Sequence, residues 1–264
     1  MNILVCIKQV PDTTEIKIDP VTNTLIRAGV PSIVNPFDGY ALEAAARIKD
    51  KDPDTKIVVM SMGPEQAKAA LKECIGIAAD KAYLISDRAF GGSDTLATSY
   101  IISNAVKKIE ELEGKFDAIF CGKQAIDGDT AQVGPELAEH LDYPQVTYAL
   151  EAENTLTIKK ETEDGVEMIE IQTPCVITYT KPSFDPRYPT IKRKMAANRA
   201  EIPTLTAADL STIDLTQAGL KGSPTKVKKT FVPQKKTGGI KIQEETNEDS
   251  AKKLFELLSD AKVL

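Results

Sequence analysis

Short apolar runs rich in β-branched residues recur along the first two thirds of the chain, at residues 2–7, 56–61, 82–86, 116–121 and 175–180. Each run is continuously apolar, the pattern of a strand covered on both faces of a parallel sheet. Stretches of helical period separate them. Ala67, Ala70, Leu71, Cys74, Ile75 and Ala78 fall on one helix face, with Pro64 placed for the first turn. Ile102, Ala105, Val106, Ile109 and Leu112 form a second stripe, closed by Gly114. The Ala-rich residues 40–49 form a third, which stops before Pro53. This alternation predicts an α/β fold: an open, mostly parallel, Rossmann-like sheet with helices on both faces and right-handed crossovers. Two hairpin inserts decorate it. One runs through residues 15–19 and 24–27 around residues 20–23, the other through residues 155–161 and 166–172 around Asp164-Gly165.

After Thr180 the pattern decays. Residues 181–244 hold many of the prolines and the basic pairs, and residues 219–239 are Lys-rich with no helical period. Residues 247–264 regain one, with Leu254, Leu257 and Leu258 on one face. Such a tail cannot close a core alone, so it is either disordered or wrapped on a partner. The apolar terminal helix favours wrapping. The chain therefore reads as a subunit, with an α/β nucleotide-binding domain at residues 1–204 and an extended arm at residues 205–264.

Composition removes several classes of function. No apolar run approaches the ~18–20 residues of a membrane span, and the opening residues read as a first strand rather than a signal peptide. The expectation is a cytoplasmic protein with no membrane insertion. A net charge of −6 argues against nucleic-acid binding. Cys6, Cys74, Cys121 and Cys175 lie in apolar runs with no CxxC pair, the pattern of buried thiols rather than a metal site. The single histidine, His140, closes the helical stretch at residues 133–141 with no nucleophile motif near it. No catalytic side chain is expected.

In open α/β sheets, ligands sit beyond the carboxyl ends of strands near the switch in strand order. Four loops qualify: residues 8–12, 62–64, 87–94 and 122–132. The last reads Gly122, Lys123, Gln124, Ala125, Ile126, Asp127, Gly128, Asp129, Thr130, Ala131, Gln132. It follows a strand and opens a helix, its glycines allow close backbone approach, and Asp129 is placed as the N-cap. The N–H groups near Thr130–Gln132 would then face a phosphate. The loop is neither a Walker loop nor GxGxxG. Asp127 and Asp129 would repel phosphate and are assigned to turn and capping roles. From the residues alone, this loop reads equally well as a structural turn. Gly91, Gly92, Asp94 and Thr95 belong to a second strand-to-helix loop in which Ser93 or Asp94 can cap. Asn35, Pro36, Phe37 and Asp38 enter a third helix.

Together these motifs resemble the beta subunit of electron transfer flavoprotein. The match runs through residues 5–12 (Val-Cys-Ile-Lys-Gln-Val-Pro-Asp), Asn35-Pro36-Phe37-Asp38 and Gly122-Lys123-Gln124-Ala125-Ile126-Asp127. It continues through a signature at residues 158–178 that includes Asp164-Gly165 and Pro174-Cys175-Val176-Ile177-Thr178. The resemblance implies a heterodimer with an FAD-carrying alpha subunit. It places nucleotide contacts on Cys6, Asn35 to Asp38, Met62 and Cys121 to Gln132, and a flavin near Lys8, Val10 and Pro11. In common members of the family the beta subunit holds AMP. A sub-class instead holds a second FAD, takes hydride from NADH and bifurcates the electrons. The loop from Phe90 to Thr95 and the stretch from Gly128 to Gln132 resemble that sub-class. Gly91 and Gly92 are then expected to leave room for the flavin or to border NADH.

One electron would pass to a low-potential acceptor such as ferredoxin or flavodoxin. The other would pass through the alpha-subunit FAD to an acyl-CoA dehydrogenase. The activity would belong to the heterodimer with its dehydrogenase partner, while this chain is a redox carrier. The alternative is a non-bifurcating shuttle subunit that binds AMP structurally. Residues 187–195 resemble the family's recognition loop, with Ile191 as apolar anchor and Tyr188, Lys192 and Met195 around it. A universal-stress-type nucleotide module is the main rival outside the family, and the 84 residues after Thr180 count against it.

Overall fold

The structure, a computed structural model, describes residues 1–12, 31–153, 157–228 and 238–264. The first expected hairpin, at residues 15–27, lies outside the described residues. Contacts divide the described chain into two units, residues 1–12 and 31–228 in one and residues 238–264 in the other.

The first unit opens with β1 (Asn2–Cys6), β2 (Gln9–Pro11), β3 (Ser32–Val34) and α1 (Pro36–Lys51). It continues through β4 (Lys56–Met62), α2 (Lys68–Ile77), β5 (Lys81–Ile85), α3 (Thr95–Glu113), β6 (Ala118–Gly122) and α4 (Val133–Leu141). Then come β7 (Gln145–Glu153), β8 (Thr157–Thr162), β9 (Gly165–Glu170), β10 (Cys175–Tyr179), α5 (Ile191–Arg199), β11 (Thr204–Leu205) and the short α6 (Gly219–Gly222). Nine strands make one sheet in the order β11-β5-β4-β1-β6-β10-β7-β8-β9. The strands from β11 to β7 run parallel, and β8 and β9 complete one edge antiparallel. β2 and β3 form a separate antiparallel pair. The expected second hairpin is thus the antiparallel edge of the main sheet.

Strand side chains alternate between two cores. Ile3, Val5, Ile57, Val59, Phe120 and Ile177 face α1 and α2. Leu4, Val58, Met60, Ile119, Cys121 and Val176 face α3 and α4. Cover on both faces is the physical reason the strand sequences are continuously apolar. At the amino-terminal strand ends, Glu113 closes α3 with a nearly buried side chain. Its carboxylate takes Lys56 Nζ at 2.6 Å and Lys81 Nζ at 2.8 Å, and it accepts from the Tyr83 hydroxyl.

Two departures from expectation stand out. β7, for which the sequence pattern carried no expectation, has Val146, Thr147 and Tyr148 near its start and continues through Ala, Leu and Glu, residues of helical preference, yet pairs along its length with β10 and β8. Sheet position overrides propensity there, and the register shifts on either side of Ala149. The compact unit also runs past the expected boundary at residues 204–205. β11 pairs with β5, and Leu205, Leu210 and Ala218 are buried in the core beside α3. The periodicity of this stretch is weak because its buried residues come from short single turns. In the second unit, α7 (Asn247–Asp260) has no buried residue, and Leu254 and Phe255 are exposed. Among the described residues, no helix is long and apolar enough to cross a membrane.

Candidate functional site

β1 sits mid-sheet: the chain runs outward from it through β4 to β5, then returns to its other side as β6. The crevice rule for open sheets therefore points to the carboxyl ends of β1 and β6. A cleft of about 360 Å³ opens there. It is lined by Cys6, Lys8, Asn35, Asp38, Met62, Asp94, Thr95, Cys121, Gly122, Lys123, Gln124, Ala125, Gly128, Asp129, Thr130, Ala131 and Gln132, all expected from the sequence. Ser93, within the expected loop from Phe90 to Thr95, lines it too, while Ile7, Thr98, Ile102, Val133 and Gly134 line it and were not anticipated. Thr95, Thr98 and Ile102 share one face of α3, so helical spacing from Thr95 was the signal that could have found the last two.

Three strand-end loops meet through two buried polar side chains, Asn35 and Asp38. Asp38 Oδ2 accepts from the Lys8 N–H at 2.6 Å. Its Oδ1 accepts from Asn35 Nδ2 at 2.9 Å and from the Gly122 N–H at 3.2 Å. Asn35 Nδ2 also donates to the Gln124 carbonyl at 2.8 Å, and its Oδ1 accepts from the Ile126 N–H at 3.2 Å. Gly122 permits this approach: a Cβ there would stand 2.3 Å from Asp38 Oδ1 and 2.7 Å from the Phe37 carbonyl carbon. Burial pushes the Asp38 carboxyl up to about 7 against these donors. The Cys6 thiol is raised well above its ordinary value by its hydrogen bond with Cys121 and by burial.

The far wall is the first turn of α4. Gln132, rather than Asp129, is its N-cap, and it makes no capping hydrogen bond. Asp129 instead accepts from Gln124 Nε2 at 2.7 Å. Asp129 and Ala131 both hold positive φ, 53° and 54°, which bends the loop so that the helix begins at Val133, after the residues expected to open it. Backbone strain of this kind costs on the order of 1–3 kcal/mol per residue and concentrates at functional sites. Gly134 lets the turn pack on β10, since a Cβ there would lie 2.4 Å from Thr178 Cγ2. The residues of this uncapped turn, at the positive end of the helix, line the cleft.

Two cations line the cleft. Lys8 Nζ pairs with Asp127 at 2.7 Å, an ion pair that joins the loops after β1 and β6. Among the described residues Lys123 makes no ion pair, and its Nζ lies 4.9 Å from the Phe37 ring centroid and 5.5 Å from that of Tyr148. Tyr148, unmarked by the sequence reading, holds φ of 58°, and its N–H donates to Thr178 Oγ1 at 3.3 Å.

Several expected residues stand behind the cleft. Val10 and Pro11 pair with Ile33 and Ser32 in the small sheet. Pro36 and Phe37 form the first turn of α1, and Ile126 projects outward. Gly91 and Gly92 do not open space for a ligand. Gly92 has φ of 74°, and a Cβ on it would lie 2.6 Å from the Leu220 side chain. Asp94 caps α3 through the Ala97 N–H and also accepts from the Thr225 N–H and hydroxyl, so the loop is fastened under residues 219–225. Gly92 serves that packing, and a four-residue helix with one exposed leucine left no trace of it in the sequence pattern.

Away from the cleft, α5 and the segment leading into it carry the expected docking residues. Tyr188 is 92% exposed, Ile191 82% and Met195 55%, and Lys192 is exposed too. Tyr188 lies in the segment before the helix, and from Ile191 onward this stretch is a helix capped by Thr190. Arg193 fastens it to α2 by donating to the Ile75 and Ala79 carbonyls, both at 2.9 Å.

The electron transfer flavoprotein domain family matches residues 22–210. The electron transfer flavoprotein subunit beta of Megasphaera elsdenii is 53% identical over 256 residues, covering 95% of this chain and 94% of the relative. The caffeyl-CoA reductase-Etf complex subunit CarD of Acetobacterium woodii is 46% identical over 267 residues, covering 100% of each. Protein FixA of Azotobacter vinelandii is 45% identical over 257 residues, covering 94% of this chain and 90% of the relative.

Proposed function

The chain belongs to the electron transfer flavoprotein family, as a beta subunit, and on that premise we propose that its cleft binds the adenosine diphosphate portion of FAD within a heterodimer that oxidises NADH and bifurcates the electrons. The observation that carries the nucleotide is the uncapped first turn of α4 lining the cleft at the strand-order switch together with Lys123, which makes no ion pair among the described residues. A helix N-terminus and a lysine ammonium suit a pyrophosphate. The volume falls in the range of small-molecule sites, about 300–1,000 Å³.

FAD bound there would supply hydride acceptance and the division of the electron pair; the protein's part is placement and electrostatics. Gly122 lets the loop after β6 close on Asp38 and Gly134 lets α4 close on β10, which together shape the cleft; Lys123 offsets phosphate charge, and Asp127 holds Lys8 beside the entrance. The alpha subunit is the obligate partner, and α7 with its exposed Leu254 and Phe255 is a candidate surface for it. The further acceptors are an acyl-CoA dehydrogenase, docked on Ile191 and Tyr188, and a ferredoxin or flavodoxin. The assembly is placed in the cytoplasm.

AMP held structurally is the second reading. One feature favours it: Leu220 covers the Gly91-Gly92 loop, which therefore adds no room for a ring system. Flavin and AMP content per purified heterodimer separates the two. Two flavins and no AMP support bifurcation. One flavin with one AMP returns the chain to the shuttle class. An alpha-subunit flavin with nothing held by this chain rejects the nucleotide site.

A further inference from the structure

We propose that Asp38 is the positioning residue of the cleft: as a carboxylate it ties the ends of β1 and β6 to the start of α1 and so sets the spacing at which a nucleotide fits. This rests on the nucleotide reading above and deepens it. Among the described residues, the hydrogen bonds to the Asp38 carboxylate come from the Lys8 and Gly122 N–H groups and Asn35 Nδ2, all donors. Asn35 repeats the tie one layer out, its own N–H donating to the Lys8 carbonyl at 2.9 Å while its side chain holds Gln124 and Ile126. The two walls of the cleft are thus fastened through one buried pair, 1% and 6% exposed.

A protonated Asp38 would present an O–H to these same donors. It would have to release the Lys8 or the Gly122 N–H, and one wall would come free. The groups that bear on it electrostatically are Lys8, which favours the carboxylate, the Cys6 thiol at the end of β1 and the Cys74 thiol on α2. Lys123 stands beyond, over the Phe37 ring. Burial raises the carboxyl to about 7. A carboxyl raised in the folded state withdraws folding stability as pH rises from its unfolded value towards about 7. The fold by itself therefore gains nothing from an ionised Asp38 at neutral pH, and the gain lies in the spacing it enforces.

Because the ligand needs the ionised form, binding lowers the proton affinity of Asp38, and nucleotide affinity must fall as pH drops through about 7. The test uses the heterodimer stripped of nucleotide, with FAD and ADP-ribose as probes, because their pyrophosphates do not titrate in this range. Equilibrium dialysis should show Kd weakening about tenfold between about pH 8 and pH 6, the change one linked proton supplies. Asp38→Asn, whose amide donates where the carboxylate accepts, should bind weakly at both pH values with no slope, and Asp38→Glu should restore part of the slope. If Asp38→Asn fails to fold, amide exchange in the wild type decides: protection at Lys8 and Gly122 should fall selectively below about pH 7. A flat wild-type Kd, a slope retained by Asp38→Asn, or unchanged protection overturns the proposal while leaving the nucleotide site standing. Binding of neither probe at any pH overturns both.

Discussion

Gly122→Ala is the substitution that most directly tests how the cleft is built. The added methyl would stand 2.3 Å from Asp38 Oδ1, 2.7 Å from the Asp38 nitrogen and 2.7 Å from the Phe37 carbonyl carbon. Two of these three atoms are backbone, so no rotamer change relieves the contact, and the first turn of α1 must move off β6. Overpacking of this kind costs about 1–3 kcal/mol. Displacing Asp38 from the Gly122 N–H adds about 1 kcal/mol for a weakened hydrogen bond to a charged group. The expected loss is about 2–4 kcal/mol, read by urea denaturation, together with reduced nucleotide content in the purified heterodimer. Gly128→Ala is the matched control. It lies in the same loop with no atom within 4 Å of the new methyl, so stability should change by no more than about 0.5 kcal/mol. Equal stability of the two variants would refute the close contact between α1 and β6.

Three further outcomes follow from the geometry. Gly92→Val should destabilise the chain, through its φ of 74° and the overlap with Leu220, and should loosen residues 219–225; adding Leu220→Ala should recover part of the loss, and no recovery in thermal melts would remove Leu220 as the cause. Burial would raise the Glu113 carboxyl, but Lys56, Lys81 and the Tyr83 hydroxyl hold it down to about 2. Its contribution is therefore present above the ordinary carboxylate range and lost as pH falls towards about 2, so Glu113→Gln should flatten acid unfolding over that window. Ile191→Ala, at an 82% exposed position, should leave melting unchanged but weaken docking of the dehydrogenase by about 1–3 kcal/mol, seen as a raised KM for that partner; an unchanged KM excludes Ile191 from the contact.

Much of this protein was legible in its sequence. The buried strands β1, β4, β5, β6 and β10 declared themselves because cover on both faces demands continuous apolar runs. Helices α2 and α3 followed from their stripes, and the site loops from their place after strands. β7 was hidden, since its Ala, Leu and Glu belong to helices in isolation and only the open edge of β10 makes them a strand. Likewise the sequence placed Asn35, Asp38 and Gly122 in one set of loops through motif resemblance, but said nothing of their joining. That Asp38 takes N–H groups from Lys8 and Gly122, residues 30 and 84 positions away, depends on β1 and β6 becoming neighbours. The cap of α4 and the purpose of Gly92 were decided the same way, by a bend at Ala131 and by Leu220 folding back from 128 residues along the chain. Local pattern reports which face of an element avoids water. Which loops then share a buried carboxylate is settled only when the crossovers bring them together, because a hydrogen bond between distant residues leaves no period in the chain.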